Sequence, residues 1–251
     1  MKKLLTRIIP NSILKLLVKQ KYKKEVIQIH KENVKLNKTV EVICLNPDKY
    51  SFLKKTFYKS FGGLIRINKN NFYYYPIAVI KIPQTIDEYL KLIGAKSRNM
   101  IKKAEKNGII CDNFNWNEKL DEIYSINTSS LIRQGRKMDN SYLEYPKKIV
   151  YPNEKDFNIV HIGAFKNSVL IGYIELYIYG NFVMTNRILG HKKFLNLGVM
   201  NIMIKKCVEY AIESKKIDYI NYLTMQNRKN NSLSAFKYRV GFREYSLLEL
   251  K

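Results

Sequence analysis

The chain has 251 residues, and its 45 Lys and Arg against 21 Asp and Glu leave a formal net charge of +24. With 46% hydrophobic and 12% aromatic residues it can bury a core, which excludes a disordered chain; no run approaches the ~18 apolar residues of a membrane-spanning helix. Three scattered cysteines, Cys44, Cys111 and Cys207, exclude a disulfide framework and a structural zinc site, and with no signal peptide in view a reduced, cytoplasmic setting is expected.

The surplus charge attracts anions such as phosphate esters, nucleic acid and acidic lipid. It is mostly Lys, in a chain also rich in Ile, Asn and Tyr, a mix that an AT-rich genome produces by itself. The charge permits an anionic partner without choosing one.

Residues 1–37 begin with Lys2, Lys3 and Arg7 among Leu4, Leu5, Ile8 and Ile9. After Pro10, Asn11 is a helix cap, and Leu14, Val18, Tyr22, Val26 and Ile29 recur on one helical face. Two readings stay open. One is a basic amphipathic helix on an anionic membrane surface, making the protein peripheral at the inner face of the cell membrane. The other is a helix packed on its own domain.

Strands are expected over 39–46, 63–68 and 71–82, with a short helix over 48–58 between the first two. Pro76 marks an edge or a bulge. Thr85 with Glu88 three residues on is a capping box, and the helix it starts ends at Gly94. A basic helix follows over 95–107, closed by Asn107-Gly108, then a strand over 109–114. Leu120, Ile123, Tyr124 and Leu131 predict a helix reaching about 134; 136–158 reads as a loop with a helical turn. Strands at about 159–166, 168–179 and 181–189, separated by Asn167-Ser168 and Gly180-Asn181, form an antiparallel meander. Met200, Met203, Ile204, Cys207, Val208 and Ala211 share the face of the next helix. A strand over 217–224, a helix over 231–239 closed by Gly241, and a strand over 242–249 complete the order. This is an α/β (α+β) pattern with a mixed, mostly antiparallel sheet flanked by helices.

Two segments carry a family resemblance. IPQTIDEYLKLIGAKSRNMIKKAEKNGI, residues 82–109, resembles the junction segment of FemAB-like proteins and of polysaccharide-locus acetyltransferases, with Lys96, Arg98, Ile101, Lys102, Lys103, Ala104 and Gly108 in place. SAFKYRVGF, residues 234–242, is similar to the F-K-x-x-(F/V)-G-F close of the same families. With the element order, the resemblance covers about 85–250. It implies a GNAT acyltransferase fold over 115–251, preceded by a reduced GNAT-like half with the basic junction helix over 38–114. It implies transfer of an acyl group from acyl-coenzyme A to an amine or hydroxyl of a cell-envelope or surface-polysaccharide precursor. The rival donor is aminoacyl-tRNA, used by FemAB-like enzymes. A rival of another class is a non-catalytic module that binds membrane or RNA.

In GNAT enzymes a Q/R-x-x-G-x-G/A run at the head of the long helix cradles the pyrophosphate of coenzyme A through backbone N–H groups. Here only Gly198 of that pattern stands, flanked by Leu197 and Val199. By fold analogy Asn227 and Asn230, after the 217–224 strand, join this donor site. Tyr173, Glu175, Tyr177 and Tyr179 alternate onto one face of their strand, away from Gly172, Ile174, Leu176 and Ile178, which are core. That places a carboxylate among phenols, where it can orient an acceptor or take its proton, or simply face solvent. Tyr173 and Tyr177 are then acceptor contacts. Lys237 holds the place of the general-acid Tyr of ordinary GNAT domains; an ammonium there can stabilise an oxyanion, and Tyr238 is the alternative proton donor. Lys96, Arg98 and Lys102, with Lys103 and Lys106, offer a grip on phosphates of a nucleotide-linked or lipid-linked acceptor, or of tRNA. His30, His161 and His191 have no partner at metal-ligand spacing, so no metal site is expected and they are read as non-catalytic.

Overall fold

A computed structural model describes residues 11–43, 47–67, 69–133, 135–152, 157–225 and 232–250, and the side chains of 11–21, 47–50 and 136 fall outside the description. The helices are α1 (Asn11–Lys35), α2 (Pro47–Phe61), α3 (Ile86–Leu92), α4 (Ala95–Lys106), α5 (Leu120–Thr128), α6 (Val199–Ser214) and α7 (Ser232–Arg239). The strands are β1 (Thr39–Val40), β2 (Leu64–Ile67), β3 (Asn70–Tyr73), β4 (Ile77–Lys81), β5 (Ile109–Asn113), β6 (Ile132–Arg133), β7 (Arg136–Lys137), β8 (Phe157–Lys166), β9 (Val169–Tyr179), β10 (Phe182–Gly190), β11 (Tyr219–Thr224) and β12 (Arg243–Leu247).

Eight strands make one mixed sheet in the order β1-β12-β4-β11-β10-β9-β8-β5. The expected meander is its centre. Asn167 and Ser168 both have positive φ, as a two-residue turn requires for strands of right-handed twist, and β8, β9 and β10 pair antiparallel. β4 lies between β11 and β12, antiparallel to both. The segments 38–114 and 115–251 therefore contribute strands to a single sheet.

Both faces of the sheet are covered, so its strands read as continuous apolar runs. On one face α3, α4 and α6 bury Tyr89, Ile101, Met203, Cys207 and Val208 against Ile80, Ile174 and Leu176. The other face carries two clusters. α2 packs Leu53, Phe57 and Phe61 on Val79, Phe182 and Met184. α5 packs Ile123 and Ile126 on Leu170, Tyr173 and Leu189.

Local chemistry sets the element ends. Thr85 Oγ1 accepts from Glu88 N at 3.2 Å, and Glu88 reaches back to Gln84 N at 3.0 Å, so the capping box forms with its return bond one residue early. Asn107 caps α4, and Gly108 follows at φ 70°. Three expectations are corrected. The strand expected over 39–46 pairs only at Thr39 and Val40, because Ile43 N turns to the side chain of Asn181; residues 44–46 lie outside the described residues. The 71–82 strand is two strands, parted around Pro76, which has no ladder donor. The helix expected to reach 134 stops at Thr128, where Ser129 Oγ and the Arg133 guanidinium both take the carbonyl of Ile126.

The packed half of α1 answers one of the two readings of the amino-terminal helix. Val26, His30 and Asn33 are buried. His30 Nδ1 lies 2.7 Å from Ser246 Oγ and its Nε2 3.1 Å from Tyr74 O. Among the described residues no helix is long and apolar enough to cross a membrane.

Burial lowers the pKa of His30, only partly offset by the Tyr74 carbonyl. The unfolded chain therefore binds this proton more readily than the folded one. The contribution of His30 is complete above its unfolded pKa of about 6.5 and is lost as pH falls below that. Thermal unfolding followed from neutral pH downward will show a steeper fall in the wild type than in His30→Gln, and parallel curves will remove His30 as the cause.

Candidate active site

β10 and β11 run parallel, yet they pair only at Phe182–Tyr219, Val183–Ile220 and Met184–Asn221. Beyond these they part. Two irregularities sit at the parting. β10 bulges between Thr185 and Arg187, leaving Asn186 without an opposite number on β9. β11 loses register with β4 between Asn221 and Thr224, with Leu223 at φ 50°. The buried Asn221 side chain repairs that break: its Nδ2 donates to Ala78 O at 3.0 Å and to Leu223 O at 2.9 Å, and its Oδ1 accepts from Leu223 N at 3.0 Å.

The gap holds a cavity of about 400 Å³. Ile188, Leu189 and Gly190 of β10 form one wall and Tyr222 of β11 another. Phe236 of α7, Met200 of α6 and Arg133 on the β6–β7 hairpin line it as well. Arg133 ties the hairpin down. It donates to Gly190 O at 3.0 Å, to Ile126 O at 2.9 Å and to Ser129 Oγ at 3.1 Å, while its buried Nε has no partner among the described residues.

The head of α6 faces this cavity through Met200. Leu197 and Val199 turn their side chains into the core, which leaves only their backbone at the head of the helix. Gly198 stands at φ 88°, and a Cβ there would overlap the carbonyl of Met100 on α4. Both the backbone conformation and the close approach require glycine at this position. The first N–H groups of α6 have no intrahelical acceptor and carry the positive end of the helix dipole.

Lys237 is 4% exposed. Its Nζ donates to Tyr222 O at 2.7 Å and Thr224 O at 2.9 Å and lies 4.5 Å from the centroid of the Tyr222 ring. The ammonium thus stands behind the cavity wall and braces β11 where it leaves β10. Burial lowers its pKa to about 8. Tyr238, the next residue, is exposed, with the Arg243 guanidinium 5.8 Å from its ring. Asn227 and Asn230 lie outside the described residues.

On the other side of the sheet Glu175 is 6% exposed. One carboxylate oxygen lies 3.4 Å from His161 Nε2. The other accepts from Asn186 Nδ2 and lies 3.9 Å from Arg187 Nε. Burial pushes its pKa up, but the bonds from His161 and Asn186 and the charge of Arg187 outweigh that, and the group is held below the usual carboxylate range. Tyr177 is half-buried, and its hydroxyl accepts from Asn186 at 3.2 Å. Tyr173 is fully buried and donates to Asn127 Oδ1 at 2.7 Å, which pins α5 to β9. Of the basic residues on α4, Lys96 and Lys102 are exposed. Arg98 instead donates to the carbonyls of Leu90 and Ile93, closing the end of α3.

The structure thus brings Glu175 and Tyr177 together around the Asn186 bulge, sets Lys237 behind the cavity wall, and places Tyr238 and the α4 lysines Lys96 and Lys102 on the surface. Sequence reasoning missed Arg133, Asn186 and Tyr222, and it gave His161 no partner. Register counted from the Asn167-Ser168 turn does not find the partner of His161, because the pairing shifts between Ala164 and Phe165.

Residues 120–242 match the model of the acetyltransferase (GNAT) family. No curated protein matches the chain. Among solved structures, FemX is similar over 68% of this chain and 59% of its own, at 12% identity and a TM-score of 0.53. L-PGS from Bacillus licheniformis is similar over 70% and 60%, at 13% identity and a TM-score of 0.46. A tandem GNAT protein from the clavulanic acid biosynthesis pathway is similar over 76% and 55%, at 13% identity and a TM-score of 0.41. The chain spans less than two thirds of each of these. The fold is the GNAT fold, a mixed sheet flanked by helices, as the resemblance implied.

Removing the Lys237 ammonium takes a donor from two part-buried carbonyls, at about 1–3 kcal/mol each at most. Lys237→Met is expected to lose stability on that scale in urea unfolding. The folded chain holds this proton less tightly than the unfolded chain, so the wild type will gain stability relative to Lys237→Met as pH rises above about 8. A difference that does not change with pH will show that the ammonium is not desolvated.

Proposed function

We propose that this chain, whose residues 120–242 match the acetyltransferase (GNAT) family, moves an acyl group from acyl-coenzyme A to an amine or hydroxyl of a cell-envelope or surface-polysaccharide precursor. One observation carries the reading: the parallel strands β10 and β11 part over a cavity that ends at the head of α6. A thioester arm laid in that gap lies along the parted strand edges, and its anionic end meets a helix N-terminus. The N–H groups around Gly198, with Leu197 and Val199 supplying backbone only, are the donor contacts.

Acyl transfer needs a positioned donor, an oriented nucleophile and a donor for the developing oxyanion. Lys237 serves this scheme indirectly by holding Tyr222 and the parted edge of β11 in place. Glu175, with Tyr177 and Asn186, lies on the face covered by α5, opposite α6, which is the face assigned to the acceptor. The exposed Lys96 and Lys102, with Lys103 and Lys106, suit phosphates of a nucleotide-linked or lipid-linked acceptor. The same lysines favour aminoacyl-tRNA as the alternative donor, since a polyanion gains from each of them.

Calorimetric titration with acetyl-coenzyme A separates the donors. Binding in the range of about 1 µM to 1 mM is expected, and Ser232→Trp, which places an indole at the mouth of the cavity, will weaken it. Absence of heat, together with tRNA binding that fades with salt, moves the reading to the tRNA-dependent reaction.

A further inference from the structure

Leu131 and Ile132, at the start of the β6–β7 hairpin, are 61% and 66% exposed, and Leu195, just before the head of α6, is 39% exposed. Ile132 and Leu195 line the β10/β11 cavity together with Ser130 and Lys192, and Leu131 stands between two of these lining residues. The three aliphatic side chains therefore belong to the rim of that cavity. Polar bonds fix the rim in place. Met138 N donates to Leu131 O at 2.9 Å, Ser130 Oγ to Ile132 O at 2.7 Å and Lys192 N to Ser129 Oγ at 3.1 Å, besides the three bonds of Arg133. Aliphatic side chains gain by leaving water, so a segment that holds them outward marks a surface that meets a partner.

The same rim is positive. Lys137 pairs opposite Ile132 in the hairpin, which puts both side chains on one face. Lys137, Lys192 and Lys193 are exposed, and no carboxylate among the described residues pairs with any of them. Burial lowers the pKa of His191, and the charges of Arg133 and Lys193 lower it further, so the field of the rim reaches inward as well. Charge and aliphatic surface together choose the partner. An anionic bilayer answers both, since lysine heads meet lipid phosphates while aliphatic side chains enter the acyl boundary. A nucleic acid answers only the charge, because Leu and Ile offer no ring on which a base can stack.

We propose that this rim, Leu131, Ile132 and Leu195 with Lys137, Lys192 and Lys193, docks on an anionic lipid bilayer and turns the mouth of the β10/β11 cavity to the lipid surface. What docking delivers rests on the acyltransferase reading: of the acceptors named there it selects the lipid-linked one. The hairpin is tied to the end of α5 through Arg133 and Ile126 O, so the rim lies on the face assigned to the acceptor. The reacting amine or hydroxyl enters by the mouth that the rim surrounds, into the cavity that holds the donor, while the hydrocarbon part stays in the bilayer.

Two measurements on the full chain test this. Trp116 is the one tryptophan of the sequence and is buried, so Leu131→Trp places a fluorescent reporter on the rim alone. Its emission should shift to shorter wavelength on vesicles of phosphatidylcholine with phosphatidylglycerol, and acyl-brominated lipid should quench it. In sedimentation with the same vesicles the wild type should bind, less so as salt rises and less so to phosphatidylcholine alone. Lys137→Glu and Leu131→Asp, checked for folding by circular dichroism, should each weaken that binding about tenfold. Unshifted emission of Leu131→Trp on vesicles that the chain does bind puts the contact elsewhere and overturns the proposal. So does a wild type that binds neither vesicle, whether or not it binds tRNA. If the wild type docks but does not bind acetyl-coenzyme A, the acyltransferase reading fails and the docking surface stands.

Discussion

Parallel strands cannot part inside a covered sheet unless something takes over their backbone bonds. An unpaired buried carbonyl or N–H costs about as much as a lost hydrogen bond. At the point where β11 leaves β10, two side chains meet this demand and a bulge redirects the neighbouring strand. Asn221 folds back to serve Ala78 and Leu223. Lys237 serves Tyr222 and Thr224. The Asn186 bulge re-aims β10, and its side chain bonds Glu175 and Tyr177. The cavity is therefore built by polar residues that do not line it. Apolar residues then fill the sheet on either side without closing the gap.

This explains what was legible in the sequence. α6 was, because six apolar residues share its face and all but the partly exposed Met200 are buried. The meander was, because Asn167-Ser168 and Gly180-Asn181 are turn chemistry. Thr85, Gly94 and Gly108 marked element ends correctly. The GNAT order followed from these, and the residue pattern placed Lys237 and Gly198 in their elements.

The site was legible only in part, for physical reasons. Counted from the Asn167-Ser168 turn, His161 should face Ile174. The register shifts between Ala164 and Phe165, and His161 faces Glu175 instead. A one-residue slip changes every partner downstream, and nothing in the composition of this hairpin announces it. Arg98 and Lys237 show a second limit. Arg98 was read as a grip on phosphates and Lys237 as an ammonium for an oxyanion, but each turns its charged end onto backbone carbonyls inside the fold, as a long side chain can. Arg133 was read as the tail of a helix, although it is the residue that ends that helix.

β4 has a further consequence. It enters the sheet between β11 and β12, whereas its sequence neighbours β2 and β3 form a separate two-stranded sheet. The segment that matches the GNAT family model, residues 120–242, taken by itself therefore lacks a central strand, and the seam it would leave runs beside the parted strands. As the chain leaves the ribosome, β4 emerges well over a hundred residues before either of its partners. Its apolar run, Ile77 to Ile80, must wait uncovered, and such late, distant pairing makes folding slow. The amino-terminal part is thus not an appendage to the rest: both supply strands to one continuous sheet.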